Sequence, residues 1–257
     1  MPSRMHARVS TLFLVFSFVG LILVAILANS VPTAQNSISQ RKPLVGAAFS
    51  LICVLGILAG IFPSKCSGMF HFRPAKKWKL LEEPPEIRKE TQAFQGHHPD
   101  CGNFGAHVFR VGSRTLCAGC VGLILGAVLS LLGTMGYLFL QLAPELDCSM
   151  VFWAGFIGIS CGLLQYHLFN WGISMVHLSV NTFFVCGVFL LLVGVDVITQ
   201  NLTLDLYVIA LSTLWLYTRI LLSQQDHRRI CTVCSVEECE FCGGKGGDDG
   251  RYLRRIP

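Results

Sequence analysis

Two short pairs of potential metal ligands face each other across fifteen residues: His98-Pro-Asp-Cys101 and Cys117-Ala-Gly-Cys120. Two residues inside each pair, with that interval between them, is the spacing of a four-ligand zinc ribbon. Each pair is expected to form a tight turn that aims both ligands at one ion. Gly102, directly after Cys101, suits the backbone such a turn requires. Four protein ligands close the coordination shell of zinc, which makes the metal structural and leaves no position for a catalytic water. Adjacent His97 could replace His98, but only His98 gives the two-residue spacing to Cys101 and is the assigned ligand.

Between the pairs, His107-Val-Phe-Arg-Val and Arg114-Thr-Leu flank Gly112-Ser113, which predicts a β-hairpin with a two-residue turn. A segment this short buries little core, so metal binding would supply its folding free energy. His107 on this hairpin is expected to be a solvated or packing histidine rather than a ligand. A second cluster follows near the C-terminus: Cys231-Thr-Val-Cys234, then Cys239-Glu-Phe-Cys242. Four thiolates so close together can enclose one tetrahedral zinc. An iron–sulfur cluster is the alternative, although the common ferredoxin spacings differ, and a redox dithiol is a third reading. The glycine-rich run after Cys242 carries no phosphate-loop pattern.

The elements that must position these ligands are membrane helices. Of 257 residues 53% are hydrophobic and 14% charged, against about 25% charged in a typical soluble domain. The mean hydropathy is +0.58. Apolar runs predict six spans, over residues 9–28, 44–62, 121–142, 150–169, 176–198 and 206–222, each near the ~20 residues that cross the hydrocarbon. The expected fold is an all-α membrane protein with a small zinc-ribbon-like β-hairpin insertion. Its parts are two N-terminal helices (1–62), a basic loop with the ligand pairs (63–120), a four-helix region (121–223) and a Cys-rich tail (224–257). Arg4 and Arg8 before the first run also fit a secretory signal, with cleavage near Ala28-Asn29-Ser30.

Lys and Arg set the expected orientation. Residues 63–118 carry nine of them and the tail carries Arg228, Arg229, Lys245, Arg251, Arg254 and Arg255, whereas residues 115–218 carry none. Loop and tail are therefore expected in the cytoplasm of a cell-membrane protein. There thiols stay reduced, so paired cysteines read as metal ligands before disulfides. Cys53, Cys161 and Cys186 fall inside apolar helices and read as small buried hydrophobes.

The run Cys101…Phe104…Gly112-Ser-Arg114-Thr-Leu-Cys117-Ala-Gly-Cys120-Val-Gly122-Leu…Gly126 resembles the core motif of a family of small prokaryotic membrane proteins of unknown function. In that motif an upstream Cys precedes a C-A-x-C-x-G sequence that runs straight into a membrane helix. The resemblance covers residues 98–126 and implies a prokaryotic multi-pass membrane protein, with no reaction attached. Two departures are Gly119, where many relatives carry Arg, and the Cys-rich tail.

Polar residues also punctuate the spans. Gln165, Tyr166, His167 and Asn170 end the fourth and His177 and Asn181 open the fifth; they are read first as interfacial groups, with a proton or metal relay as the alternative. Asp196 is expected to be solvated near the outer surface. Gly122 and Gly126, and Gly155, Gly158 and Gly162, recur at close helix-packing spacing. No nucleophile elbow, phosphate loop or pair of catalytic carboxylates supports hydrolase or transferase chemistry. The expected function is a non-enzymatic scaffold or interaction module in contact with membrane lipid, with a protein partner at the cytoplasmic face and no nucleic acid. A redox protein using the tail cysteines, or a metal or small-solute transporter using His167, His177 and Asn181, are the alternatives.

Overall fold

The computed structural model describes residues 2–30, 40–61, 94–95, 98–99, 104–112, 114–142, 147–168 and 173–232. Helix α1 spans Pro2–Ser30 and α2 spans Arg41–Ile61. Two small antiparallel pairs follow: β1 (Phe94–Gln95) with β2 (His98–Pro99), and β3 (Val108–Val111) with β4 (Arg114–Cys117). A single 3-10 turn, Gly105–His107, leads into β3. Helix α3 (Ala118–Thr134) continues into a π turn over Met135–Phe139, and α4 (Cys148–Leu168), α5 (Ser174–Thr199) and α6 (Leu202–Thr232) complete the bundle.

Among the described residues six helices are long and apolar enough to cross a membrane, over Arg8–Ser30, Arg41–Ile61, Ala118–Phe139, Cys148–Tyr166, Ser174–Thr199 and Leu202–His227. Each matches one expected span, with shifted ends. Their side chains are sorted as a bilayer requires. On α1, Leu12, Phe16, Val19 and Ile26 point outward at helical spacing, each more than half exposed, while Ser10, Ser17, Leu21, Val24 and Ala28 are buried. Apolar residues outside and small or hydroxylated ones inside invert the pattern of a soluble helix. This is the architecture of a multi-pass membrane protein.

Lipid tails are as apolar as leucine, so close backbone approach and hydrogen bonds must hold such helices together. The glycines provide the approach. A Cβ at Gly155 of α4 would lie 2.3 Å from the Leu191 nitrogen of α5, and one at Gly122 of α3 would lie 2.4 Å from the Leu178 carbonyl oxygen. Thr182 on α5 donates to the Gly122 carbonyl at 3.1 Å across that contact. Helices α1 and α6 run antiparallel: Ser10 donates to Gln225 at 2.6 Å, Ser17 and Thr218 share a 2.8 Å bond, and Trp215 Nε1 donates to the Ser17 carbonyl at 3.0 Å. Helix α1 is thus built into the bundle through its polar face.

The ends of the bundle are polar and distinct. At one end Arg41 lies 2.5 Å from both Asp196 and Asp205, and Tyr137 donates to Asp196 at 2.5 Å. Asp196 is therefore buried, not solvated as its place near a helix end suggested: a cation on α2 and a phenol after α3 have closed over it. The Asp196 Oδ1 contact with Arg41 is an ion contact outside hydrogen-bond alignment. The hairpin packs at the opposite end.

Candidate functional site

The second ligand pair sits where strand becomes membrane helix. The β3–β4 register pairs Val111 with Arg114 and Val108 with Cys117. Gly112 follows the last β3 residue at φ +60°, a conformation glycine adopts freely. Cys117 closes the hairpin and precedes α3, and Cys120 lies in the first helical turn. The spacing thus leads to a hairpin end joined to a helix start, where the sequence suggested a second tight turn. The α-helix begins at Ala118, ahead of the apolar run that marked it from residue 121. Cys117, extended, and Cys120, in the first helical turn, are three residues apart, a spacing that two ligands of one ion can use.

His98 belongs to β2, whose partner β1 packs beside β4. The His98 side chain and the whole of Cys101 lie outside the described positions. Cys231 falls in the last turn of α6, but its side chain, and Cys234, Cys239 and Cys242 entirely, also lie outside them. Among the described residues no group of three or more His, Cys, Asp or Glu is arranged to hold a metal ion. That set contains only Cys117 and Cys120 of the eight assigned ligands as complete residues.

Below the hairpin the structure assembles a polar network that sequence spacing did not specify. Arg219, on α6, is 2% exposed. Its Nη2 donates to Gln165 Oε1 of α4 and, at 2.9 Å, to Asn181 Oδ1 of α5. Its guanidinium lies over the Tyr166 ring, 4.6 Å from the centroid. Gln165 Nε2 lies 2.7 Å from His177 Nδ1, and Asn181 Nδ2 donates to the His177 carbonyl at 2.5 Å. Gln165, His177 and Asn181 are all buried, so the interfacial reading gives way to an inward-facing one for these three. His167 and Asn170 lie outside the described side chains.

The hairpin is docked on this network. His107 is buried with its ring 4.5 Å from that of His177, and its Nε2 lies 3.5 Å from Asp226 Oδ2 of α6. Phe104 and His227 pack edge-on against the same ring at 6.0 and 5.7 Å. His107 is accordingly buried and packed, where its position on the hairpin had allowed a solvated or a packing histidine. On the other side, Gly119 lies against both the Cys117 sulfur and the Asn181 amide: a Cβ there would be 3.8 and 3.7 Å from them. The ligand pair and the buried network are therefore neighbours.

Arg219 was visible in the sequence only as the first basic residue after a long stretch without any. A lone cation within an apolar span is itself the signal that would have found it, because such a charge persists only with interior partners. Compared with known proteins, the chain matches no protein family, no curated protein and no solved structure.

Proposed function

We propose that the chain is a prokaryotic cell-membrane protein whose cytoplasmic face carries a structural zinc site, and that the hairpin this site braces is a docking platform for a protein partner. One observation carries the reading: Cys117 and Cys120 straddle the junction between hairpin and membrane helix. His98, Cys101, Cys117 and Cys120 would hold the ion. Zinc there supplies cross-linking and folding free energy and no bond-making chemistry. Among the described side chains of residues 104–117 only Phe104 and His107 are buried, which fits a segment that needs such a brace.

One observation supports the cytoplasmic orientation. The opposite end sets Arg41 and Lys42 against Asp196 and Asp205, so its cations are offset locally. The basic loop and tail then hold the unbalanced positive charge, as the inner face of a membrane requires. Helix α6, at 31 residues and ~1.5 Å per residue, is about 46 Å long and outreaches a ~30 Å hydrocarbon core. Its last turns would carry Cys231 beyond the lipid, where the tail cysteines would hold a second zinc.

Metal analysis with an absorption spectrum, on anaerobically purified full-length protein and on a Cys117→Ser/Cys120→Ser variant, tests this. Two colourless zinc ions per chain falling to one in the variant is the expected result. Iron with sulfide retained in the variant would instead place an electron-transfer cluster in the tail. Absence of metal from both proteins would overturn the zinc reading.

A further inference from the structure

At the end of the bundle away from the hairpin, buried acceptors outnumber their donors. Asp196, on α5, and Asp205, on α6, are 1% and 0% exposed. Asp205 Oδ2 accepts from Arg41 Nη1, and Asp196 Oδ2 accepts from the Tyr137 hydroxyl, each at 2.5 Å. The other oxygen of each carboxylate, Asp196 Oδ1 and Asp205 Oδ1, is buried and has no hydrogen-bond partner among the described residues. Arg41 Nη1 lies 2.5 Å from Asp196 Oδ1 as well, but out of hydrogen-bond alignment. A buried acceptor without a donor is costly, most of all when it carries charge. Tyr137 reaches Asp196 from the π turn, a rare local form that recurs at functional sites.

The two carboxylates also crowd each other. Both touch the same Arg41 nitrogen at 2.5 Å, so those oxygens lie within about 5 Å of one another, and the two groups are within hydrogen-bonding reach. The cations that face them are Arg41 and Lys42 of α2. Lys42 is the weaker partner: partly exposed, its ammonium is 3.9 Å from Asp196 and lies over the Tyr137 ring. Carboxylates this close take up protons as a unit, because ionising both sets like charges together. A proton on either one resolves the shortage of donors. A neutral carboxyl group donates as well as accepts, so its O–H supplies what the other lacks. Such a ligand needs no cavity. The pair is also near water, beside Lys42 and beneath the exposed Gln200, whose N–H bonds the Asp196 carbonyl.

We propose that Asp196 and Asp205 form a proton-binding site that holds one proton between them at neutral pH, while Arg41 and Tyr137 fix the remaining oxygen of each. Proton uptake leaves the pair with one negative charge against Arg41 and adds a carboxyl–carboxylate hydrogen bond from α5 to α6. Release of the proton breaks that bond and opposes two ionised groups where α2, α5 and α6 meet. The proton thereby acts as a ligand that tightens this end of the bundle. The site does not depend on the zinc reading, because none of its residues is an assigned metal ligand and the hairpin lies at the opposite end.

Infrared difference spectroscopy tests this on the full-length protein in phosphatidylcholine nanodiscs, titrated through neutral pH in H2O and in D2O. A protonated carboxyl group is read from its C=O stretch, which shifts in D2O; a solvated aspartate, with a pKa of about 3.9, gives no such band at neutral pH. One band at neutral pH, absent from both Asp196→Asn and Asp205→Asn, is the expected result. Each of these variants leaves a lone carboxylate beside Arg41, which stays ionised. Should the Asn variants fail to fold, Tyr137→Phe keeps both carboxyl groups and withdraws one donor from the ionised form. Its band should persist to higher pH, a gain of about tenfold in proton affinity. A wild-type protein without the band would overturn the proposal, as would a titration that Tyr137→Phe leaves unmoved. So would a band that survives both Asn variants or vanishes in Asp226→Asn, which would place the proton on another carboxyl group.

Discussion

Arg41 Nη1 lies 2.5 Å from Asp205 Oδ2, tying the first residue of α2 to the first turn of α6 across a buried contact. The same guanidinium reaches Asp196 at the end of α5, so one cation bridges three helices. Removing it strands two buried carboxylates. Arg41→Gln should therefore destabilise the bundle by about 3 kcal/mol or more. Lys42, 3.9 Å from Asp196 and partly exposed, should contribute under about 1 kcal/mol when changed to Gln. Denaturant unfolding in mixed micelles measures both; equal effects would contradict the assignment.

Helix packing predicts a sharp contrast between glycines. Gly155→Leu must push α4 away from the Leu191 backbone and should cost more than about 2 kcal/mol, or prevent assembly. Gly56→Ala, with nothing within 4 Å of the new methyl, should be nearly neutral. Comparing the yield of folded protein in detergent and its midpoint of unfolding separates the two.

The α5–α6 connection offers a stabilising change. Gln200 caps α5 at φ +49°, with its N–H on the Asp196 carbonyl, a left-handed position that costs a side chain about 1 kcal/mol. Gln200→Gly should relieve part of this and raise the unfolding midpoint. The next residue, Asn201, accepts from the Thr203 N–H at 2.9 Å and caps α6, so Asn201→Ala should lower stability by about 1 kcal/mol.

Retention of α1 follows from its bonds to α6. Ser10, Ser17 and the Ser17 carbonyl all have α6 partners, which cleavage near Ala28 would remove. Intact-mass measurement of membrane-extracted protein should find residues 9–28 present. A mature chain beginning after Ala28 would refute this.

The docking of the hairpin is separable from the bundle. His107→Ala removes the ring that packs on His177 and meets Asp226, so amide exchange in β3 and β4 should speed up while α4 and α5 stay protected. Loss of protection throughout would show that the hairpin is integral to the core.

Residue order alone determined a good deal of this protein. Apolar runs too long for soluble helices fixed six spans, because backbone polar groups in lipid must be satisfied within the segment. The Gly112-Ser113 turn fixed the hairpin register, since two residues between alternating strands leave a single pairing. Glycine spacing announced close helix contacts, and Gly155 and Gly122 make them. Tertiary structure alone decided which polar residues meet. Asp196 and Arg41 are far apart in sequence, as is Arg219 from Gln165 and His177, and no local spacing encodes their convergence. Asp196 looked solvated from its place near a helix end, and Gln165 and His177 looked interfacial from theirs. Helices this apolar offer such groups no partner on their outer faces, so the polar side chains turn inward, where neighbouring helices supply partners for them.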